Sequence, residues 1–195
     1  MKALASNLRP ALVSTLLLTL LLGVGYPLVT TGILHLTFPS QAQGSLIRDE
    51  TGRVIGSRLI GQNFDQPKYF WGRLSATSNT PYNASASGGS NFGVNNPALM
   101  DAVKARVAAL KAADPANTAP IPVDLVTASA SGLDPDITPA AALYQAHRVA
   151  VARGLSDDAV KAMIRTSSYN RTFNILGEPR VNVLELNLRL DGKMK

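Results

Sequence analysis

The chain has 195 residues, and its 19 basic and 13 acidic side chains give a net charge of +6 with both histidines neutral. The sequence contains no cysteine and two histidines, which excludes disulfides and argues against a zinc site built from the usual ligands. The positive charges are scattered, without a basic run or an aromatic ladder, so a nucleic-acid partner is not expected.

The first predicted element is a membrane helix. No Asp, Glu, Lys or Arg occurs from Pro10 to Ile47, and roughly 20 apolar helical residues cross a bilayer core about 30 Å thick. We therefore predict a transmembrane helix at 11–36. A short cytoplasmic tail at 1–10 precedes it, and an extracytoplasmic domain at 37–195 follows it.

A cleaved signal peptide is the alternative, because residues 40–42 (SQA) resemble a small-residue cleavage site. The apolar region of a signal peptide has about 7–15 residues, and the longer run in this chain favours a retained anchor. Lys2 and Arg9 precede the span, and positive flanks stay in the cytoplasm. The expected topology is therefore a single pass with the N-terminus inside and the C-terminal domain outside.

Small or hydroxyl-bearing residues recur every four positions along the predicted span. This spacing places them along one slowly turning stripe, which lets helix backbones approach each other and hydroxyls bond across the contact. The stripe consists of Ala11, Thr15, Thr19, Gly23, Pro27 and Thr31. It predicts a helix-packing face for a partner, with an inert anchor as the alternative, and Pro27 is expected to kink the helix.

The remainder predicts one α+β domain. A hairpin is expected at 45–48 and 53–60, around a turn at 49–52, and a loop-rich stretch follows at 61–96. Three helices are then expected, each with a capping side chain ahead of its first turn. The caps are Asn96, Thr138 and Ser156. Gly154 is expected to end the second of these helices.

Two apolar patterns complete the predicted fold. The first marks the inward face of the helix after Asn96, and it consists of Leu99, Val103, Val107 and Leu110. The second alternates with polar residues near the C-terminus and consists of Leu184, Leu186, Leu188 and Leu190. Strict alternation is typical of a half-buried strand, so a strand is predicted there.

Half of the aromatic residues of the chain lie in the loop-rich stretch or at its edge. They are Tyr69, Phe70, Trp71, Tyr82 and Phe92. An ordered loop that presents such side chains is typical of a docking surface for another protein. The Gly/Ser segment 82–91 within it could also cradle an anion through backbone amides, although an ordinary surface loop has the same composition.

The search for catalytic motifs argues against an enzyme. The sequence contains neither a G-x-S-x-G elbow nor a phosphate-binding GxxxxGK[ST] loop. His147 falls inside the helix expected after Thr138, where a packed or solvated histidine is the simpler interpretation. A membrane-tethered sensor or binding module that works alone remains an alternative to a subunit of a larger assembly.

Nearly the whole chain resembles the KdpC subunits of the bacterial Kdp potassium-transporting ATPases. The matching stretches are residues 8–11 (LRPA), 26–28 (YPL), 44–47 (GSLI), 59–62 (LIGQ), 82–83 (YN), 86–91 (ASGGSN), 96–97 (NP), 123–134 (VDLVTASASGLD) and 177–183 (GEPRVNV). One departure is Leu74, where the family usually has proline.

The resemblance implies a non-catalytic accessory subunit of a high-affinity potassium importer in the bacterial cytoplasmic (inner) membrane. Its partners would be a channel-like potassium-binding subunit, a P-type ATPase subunit and a small single-span subunit. ATP and potassium would be used by the complex, and no cofactor is expected on this chain.

The family is also described as a catalytic chaperone that raises the affinity of the ATPase subunit for ATP. Direct contact, on this resemblance, would involve Ser87, Gly88, Gly89, Ser90 and Gln145. The predicted topology places these residues outside the cytoplasm, where ATP is absent. An indirect effect carried through helix packing is therefore the preferred interpretation.

Overall fold

The computed structural model describes residues 2–194 and forms two compact units, which divide between Leu46 and Ile47. The first unit is helical, and the second combines helices with two small sheets. This arrangement confirms the predicted fold class, one long apolar N-terminal helix followed by an α+β domain.

The first unit is one long helical stretch with a change of hydrogen-bonding pattern in its middle. Helix α1 spans Lys2–Leu20, a π-helical segment spans Leu21–Gly25, and α2 spans Tyr26–Thr37, followed by the short α3 at Pro39–Ala42. The stretch Ser6–Thr37 is long and apolar enough to cross a membrane. At 1.5 Å per residue its 32 residues cover about 48 Å, more than a bilayer core about 30 Å thick.

Pro27 explains the position of the π-helical segment. A proline inside a helix has no N–H to donate, and its ring clashes with the carbonyl four residues earlier. In this helix the Tyr26 N–H donates to the Leu21 carbonyl, five residues back. The irregularity expected around Pro27 therefore takes the form of a wider turn immediately before it.

The second unit begins with the predicted hairpin. Strand β1 spans Leu46–Arg48 and pairs with β2, Val54–Ser57. Asp49 organises the connecting turn, because its Oδ1 accepts hydrogen bonds from the Thr51 hydroxyl at 2.6 Å and from the Arg53 N–H at 2.9 Å. These bonds, the one from the Thr51 hydroxyl above all, lower the pKa of Asp49.

The three predicted helix starts are confirmed. Helices α4, α5 and α6 span Pro97–Ala113, Pro139–Arg153 and Asp157–Thr166. In each case the predicted cap accepts a hydrogen bond from a backbone N–H of the first turn, and the three acceptors are Asn96, Thr138 and Ser156. Gly154 ends α5 with a φ of 64°, a left-handed conformation that glycine adopts without steric cost.

The strand predicted at Leu184–Leu190 is wrong, because this segment is part of helix α7, Val183–Leu190. The preceding strand β5, Arg180–Asn182, lies between β3, Asp136–Ile137, and β4, Ser168–Tyr169, in an antiparallel sheet. Asn182 then starts the helix, since its side chain accepts from the Glu185 N–H at 3.1 Å. Leucines two apart are also four apart in pairs, so the same pattern fits one helical face.

Helix α7 has apolar residues on two sides. Leu184 and Leu188 join Ile47 in a small cluster under the hairpin, whereas Val183 and Leu186 belong to the main core. The main core packs α5, α6 and α7 around Val149, which is completely buried.

Candidate docking site

The loop-rich stretch is held to the core by two buried amide side chains. The Asn187 Oδ1 accepts from the Phe70 N–H at 2.8 Å, and its Nδ2 donates to the Phe70 carbonyl at 3.0 Å. Gln145 binds Trp71 in the same way, at 2.8 and 3.1 Å. The two amides thus take the place of a neighbouring strand and satisfy backbone groups that would otherwise be buried without partners.

This anchoring corrects the docking surface predicted from the sequence. The Phe70 side chain is 0 % exposed and that of Trp71 is 8 % exposed, so neither ring is presented to a partner. The Trp71 ring lies between two guanidinium groups, that of Arg148 at 4.5 Å and that of Arg106 at 5.1 Å from its centroid. Burial lowers the pKa of Arg148 to about 10. Both aromatic side chains therefore stabilise the domain.

The two tyrosines of the predicted surface are half-buried and hydrogen-bonded. The Tyr69 hydroxyl donates to Asp191 at 3.0 Å, and that of Tyr82 donates to the Arg73 carbonyl at 2.7 Å. The Tyr82 ring fills space left by two glycines, Gly61 and Gly72. Burial raises the pKa of Tyr82 to about 12. Tyr82 therefore wedges the loop in place.

Phe92 remains on the surface and borders an apolar groove. Its side chain is 39 % exposed, and the groove has a volume of about 440 Å³. The groove is lined by Leu74, Ser75, Ala76, Gly89, Ser90, Phe92, Leu99, Ala102, Val103, Val126 and Ala128. One wall is the apolar face of α4 and the other is the loop-rich stretch. The dimensions suit one or two apolar side chains of a partner.

The floor of the groove is a short parallel bridge between Leu74 and Ala128, in which the Ser129 N–H donates to the Leu74 carbonyl at 2.8 Å. A proline at position 74 would offer the same carbonyl. The family departure at this residue therefore leaves that hydrogen bond intact and adds a leucine side chain to the lining.

The Gly/Ser segment lies along one edge of the groove and is bound to the 129–131 turn. The Gly88 N–H donates to the Ser131 carbonyl at 2.9 Å, and the Ser87 hydroxyl donates to the same carbonyl at 3.0 Å. Close approach explains Gly89, since a Cβ there would lie 2.9 Å from the Ala130 carbonyl oxygen. The Gly88 amide is therefore already used and does not point to an incoming anion.

Gln145 is separate from the Gly/Ser segment in this arrangement. Its side chain is buried, and it is not among the residues that line the groove. Besides its two bonds to Trp71, its Oε1 accepts from Arg148 at 2.7 Å and its Nε2 donates to the Ala141 carbonyl at 3.3 Å. The structure thus brings Gly89, Ser90 and Phe92 together at one groove and keeps Gln145 beneath Trp71.

His147 is exposed at the edge of α5. Its Nδ1 lies 3.2 Å from an Asp157 carboxylate oxygen at the start of α6. This placement agrees with the solvated histidine expected from the sequence.

Sequence reasoning missed the residues that complete the groove. Leu99 and Val103 were recognised as an apolar face, and the short connection after Ala113 gave no sign that this face is left partly open. Leu74 and Val126 come from loops without periodicity, so their approach depends on long-range contacts such as the Leu74–Ala128 bridge.

Comparison with known proteins identifies the family. The family model described as "K+-transporting ATPase, c chain" matches residues 8–192. The chain belongs to this family. It is 61% identical over 183 residues to the potassium-transporting ATPase KdpC subunit of Herpetosiphon aurantiacus, with 94% of each chain covered.

Other KdpC subunits are equally similar. The subunit of Methylibium petroleiphilum is 64% identical over 187 residues, covering 95% of this chain and 97% of the relative. That of Sorangium cellulosum is 60% identical over 187 residues, covering 96% and 98%. The matches run through both the membrane helix and the α+β domain, so the family resemblance seen in the sequence is confirmed.

Proposed function

We propose that this chain is the non-catalytic accessory subunit of an ATP-driven potassium importer, and that it docks on the channel-like subunit through the groove beside Phe92. The helix at 11–36 would cross the cytoplasmic membrane once, with the tail at 1–10 inside and residues 37–195 outside. Membership of the KdpC family supports the role in potassium transport. The two charges before the span, Lys2 and Arg9, support the orientation.

The groove is the observation that carries the docking proposal. Its lining residues are apolar or small, and Arg and Lys are absent from that set within the described part of the chain. An apolar, uncharged pocket with an aromatic residue at its rim is typical of the buried centre of a protein interface. The same lining offers no cation to a triphosphate, which makes a nucleotide a poor occupant.

An effect of this protein on ATP affinity would therefore be indirect. The four hydrogen bonds of Gln145 are all used within the core, and the Gly88 amide is bound to Ser131. Coupling to the nucleotide site would pass through the contacts between subunits, as a difference in affinity between two states of the complex. The aspartyl-phosphate chemistry would remain with the P-type ATPase subunit.

The four-residue stripe on the membrane helix is the second proposed contact, with the ATPase complex or its small single-span subunit. A repeat of four overshoots an α-helical turn of 3.6 residues, so such a stripe drifts around a regular helix. The π-helical segment Leu21–Gly25 contains wider turns and includes Gly23. The drift is reversed there, which keeps Thr19, Gly23 and Pro27 closer to one side.

The docking proposal can be tested with a matched pair of charge substitutions. Phe92→Asp places a carboxylate at the groove, whereas Val94→Asp places one on an exposed side chain two residues away and outside the lining set. Each variant is titrated into complexes purified without this subunit, and potassium-stimulated ATPase activity is measured. We expect Phe92→Asp to raise the concentration for half-maximal activity at least tenfold and Val94→Asp to leave it unchanged. Equal behaviour of the two variants would contradict docking at the groove.

A further inference from the structure

The loop at 171–177, between β4 and β5, exposes three large apolar side chains within four residues. Phe173 is 84 % exposed, Ile175 is 75 % exposed and Leu176 is 61 % exposed. Single exposed hydrophobic residues are ordinary, whereas a contiguous group marks an interaction site. None of these residues lines the groove beside Phe92, so the loop is a separate feature of the domain.

The loop has a defined shape. The Thr172 N–H donates to the Leu176 carbonyl at 2.8 Å, and the Leu176 N–H donates back to the Thr172 carbonyl at 2.9 Å. Phe173 has a φ of 54°, in the left-handed region that bulky residues rarely adopt. Backbone strain of this kind is retained where the surrounding structure enforces it and is common at functional sites. In this loop it accompanies an outward-facing phenyl ring.

The charges beside the loop are neutralised within the domain. The Arg171 guanidinium lies 2.7 and 2.8 Å from the two carboxylate oxygens of Glu178, and that of Arg180 lies 2.8 Å from Asp136. Paired arginines leave little net attraction for anionic phospholipid headgroups, whose binding requires an excess of basic charge. An apolar tip between closed ion pairs instead matches the anatomy of a protein interface, with an apolar centre and a polar rim.

We propose that the 171–177 loop inserts Phe173 and Ile175 into an apolar pocket on the extracytoplasmic face of the channel-like subunit. This inference rests on the proposed function and adds a second contact to it. The loop would act as a pre-shaped anchor, because its hydrogen bonds fix the ring before binding and so reduce the entropy lost on association.

The test uses Phe173→Asn in the full-length protein. Asparagine tolerates a left-handed backbone better than phenylalanine does, so this substitution removes the ring without straining the loop. Val94→Asn is the matched control, since Val94 is 87 % exposed and lies in another loop. A thermal melt of each purified variant checks that the fold is unchanged.

Binding to the complex purified without this subunit is then measured in detergent and in nanodiscs that contain anionic lipid. The proposal predicts that Phe173→Asn weakens binding at least tenfold in both media, while Val94→Asn binds as the unmodified chain does. Unchanged binding in both media would overturn it. Weakening confined to nanodiscs would also overturn it, because lipid would then be the occupant. Failure of the unmodified chain to bind would refute the proposed function itself, so the two failures are distinguishable.

A photo-cross-linking amino acid at position 173 supplies a second measurement in intact cells. The proposal predicts a cross-linked product containing the channel-like subunit, identified by its mass, and no such product from position 94. A product with lipid, or none with that subunit, would overturn the assignment.

Discussion

The Gln145 side chain binds both backbone groups of Trp71, accepting from its N–H at 2.8 Å and donating to its carbonyl at 3.1 Å. The two residues are 74 positions apart, and the pair fixes the loop-rich stretch onto α5. This contact gives Gln145 a structural role in a family whose resemblance suggests a nucleotide contact at the same position.

Gln145→Ala should therefore destabilise the domain and leave nucleotide affinity intact. Truncation leaves the buried Trp71 N–H without its acceptor and opens a cavity. We expect the free energy of unfolding to fall by about 2–4 kcal/mol, from one or two unsatisfied groups at about 1–3 kcal/mol each. Chemical denaturation of the full-length protein in detergent measures this change.

The functional half of that prediction is measured on assembled complexes. The apparent ATP affinity of those that contain Gln145→Ala should equal that of the unmodified complex. A large loss of affinity in a folded, stoichiometric complex would favour direct contact with the nucleotide.

Gly61→Ala should destabilise the domain through Tyr82. A Cβ at Gly61 would overlap the Tyr82 ring and lie 2.8 Å from the Asp134 carbonyl oxygen. Overpacking of this kind costs about 1–3 kcal/mol, and a thermal melt measures the loss. Gly88→Ala is the control, because a Cβ there meets no heavy atom within 4 Å. Equal stability of the two variants would contradict the wedge role of Tyr82.

Asp191 should make stability depend on acid pH. Burial raises the pKa of its carboxyl, but hydrogen bonds from Arg153 and Tyr69 outweigh burial and hold the pKa below 3.8. The contribution to stability is therefore present above pH 3.8 and is lost as pH falls through the lower folded-state pKa. Asp191→Asn should be less stable than the unmodified protein at about pH 7, and denaturation midpoints measured from neutral to acid pH should show the difference shrinking in acid.

Asp136 supplies a control of opposite sign. Burial raises its pKa despite the Arg180 ion pair. A raised carboxyl pKa means that the charged form is less favourable in the folded state, so this contribution to stability decreases as pH rises through the folded-state pKa. Asp136→Asn should remove that decrease. The same pH trend in both variants would contradict these environments.

Local signals in the sequence predicted the helix starts, since Asn96, Thr138 and Ser156 cap their helices through neighbours only two or three residues away. The Leu184–Leu190 pattern was misleading because its spacing fits both a strand and a helical face. The cap at Asn182 decided in favour of the helix.

The candidate site was less predictable because its geometry depends on distant residues. Phe70 and Trp71 are drawn inward by Asn187 and Gln145, which lie 117 and 74 residues further along the chain. No local pattern encodes these pairings. Phe92 was identified correctly as a surface aromatic residue, whereas the 171–177 loop was overlooked because three apolar residues in a short loop resemble a buried segment.

The most direct test of the accessory role is recovery of this chain from its native membrane with a C-terminal tag and a mild detergent. We predict stoichiometric co-purification of a P-type ATPase subunit and a channel-like potassium subunit. Recovery of the chain alone, folded and monodisperse, would contradict this role and would favour a tethered module that works independently.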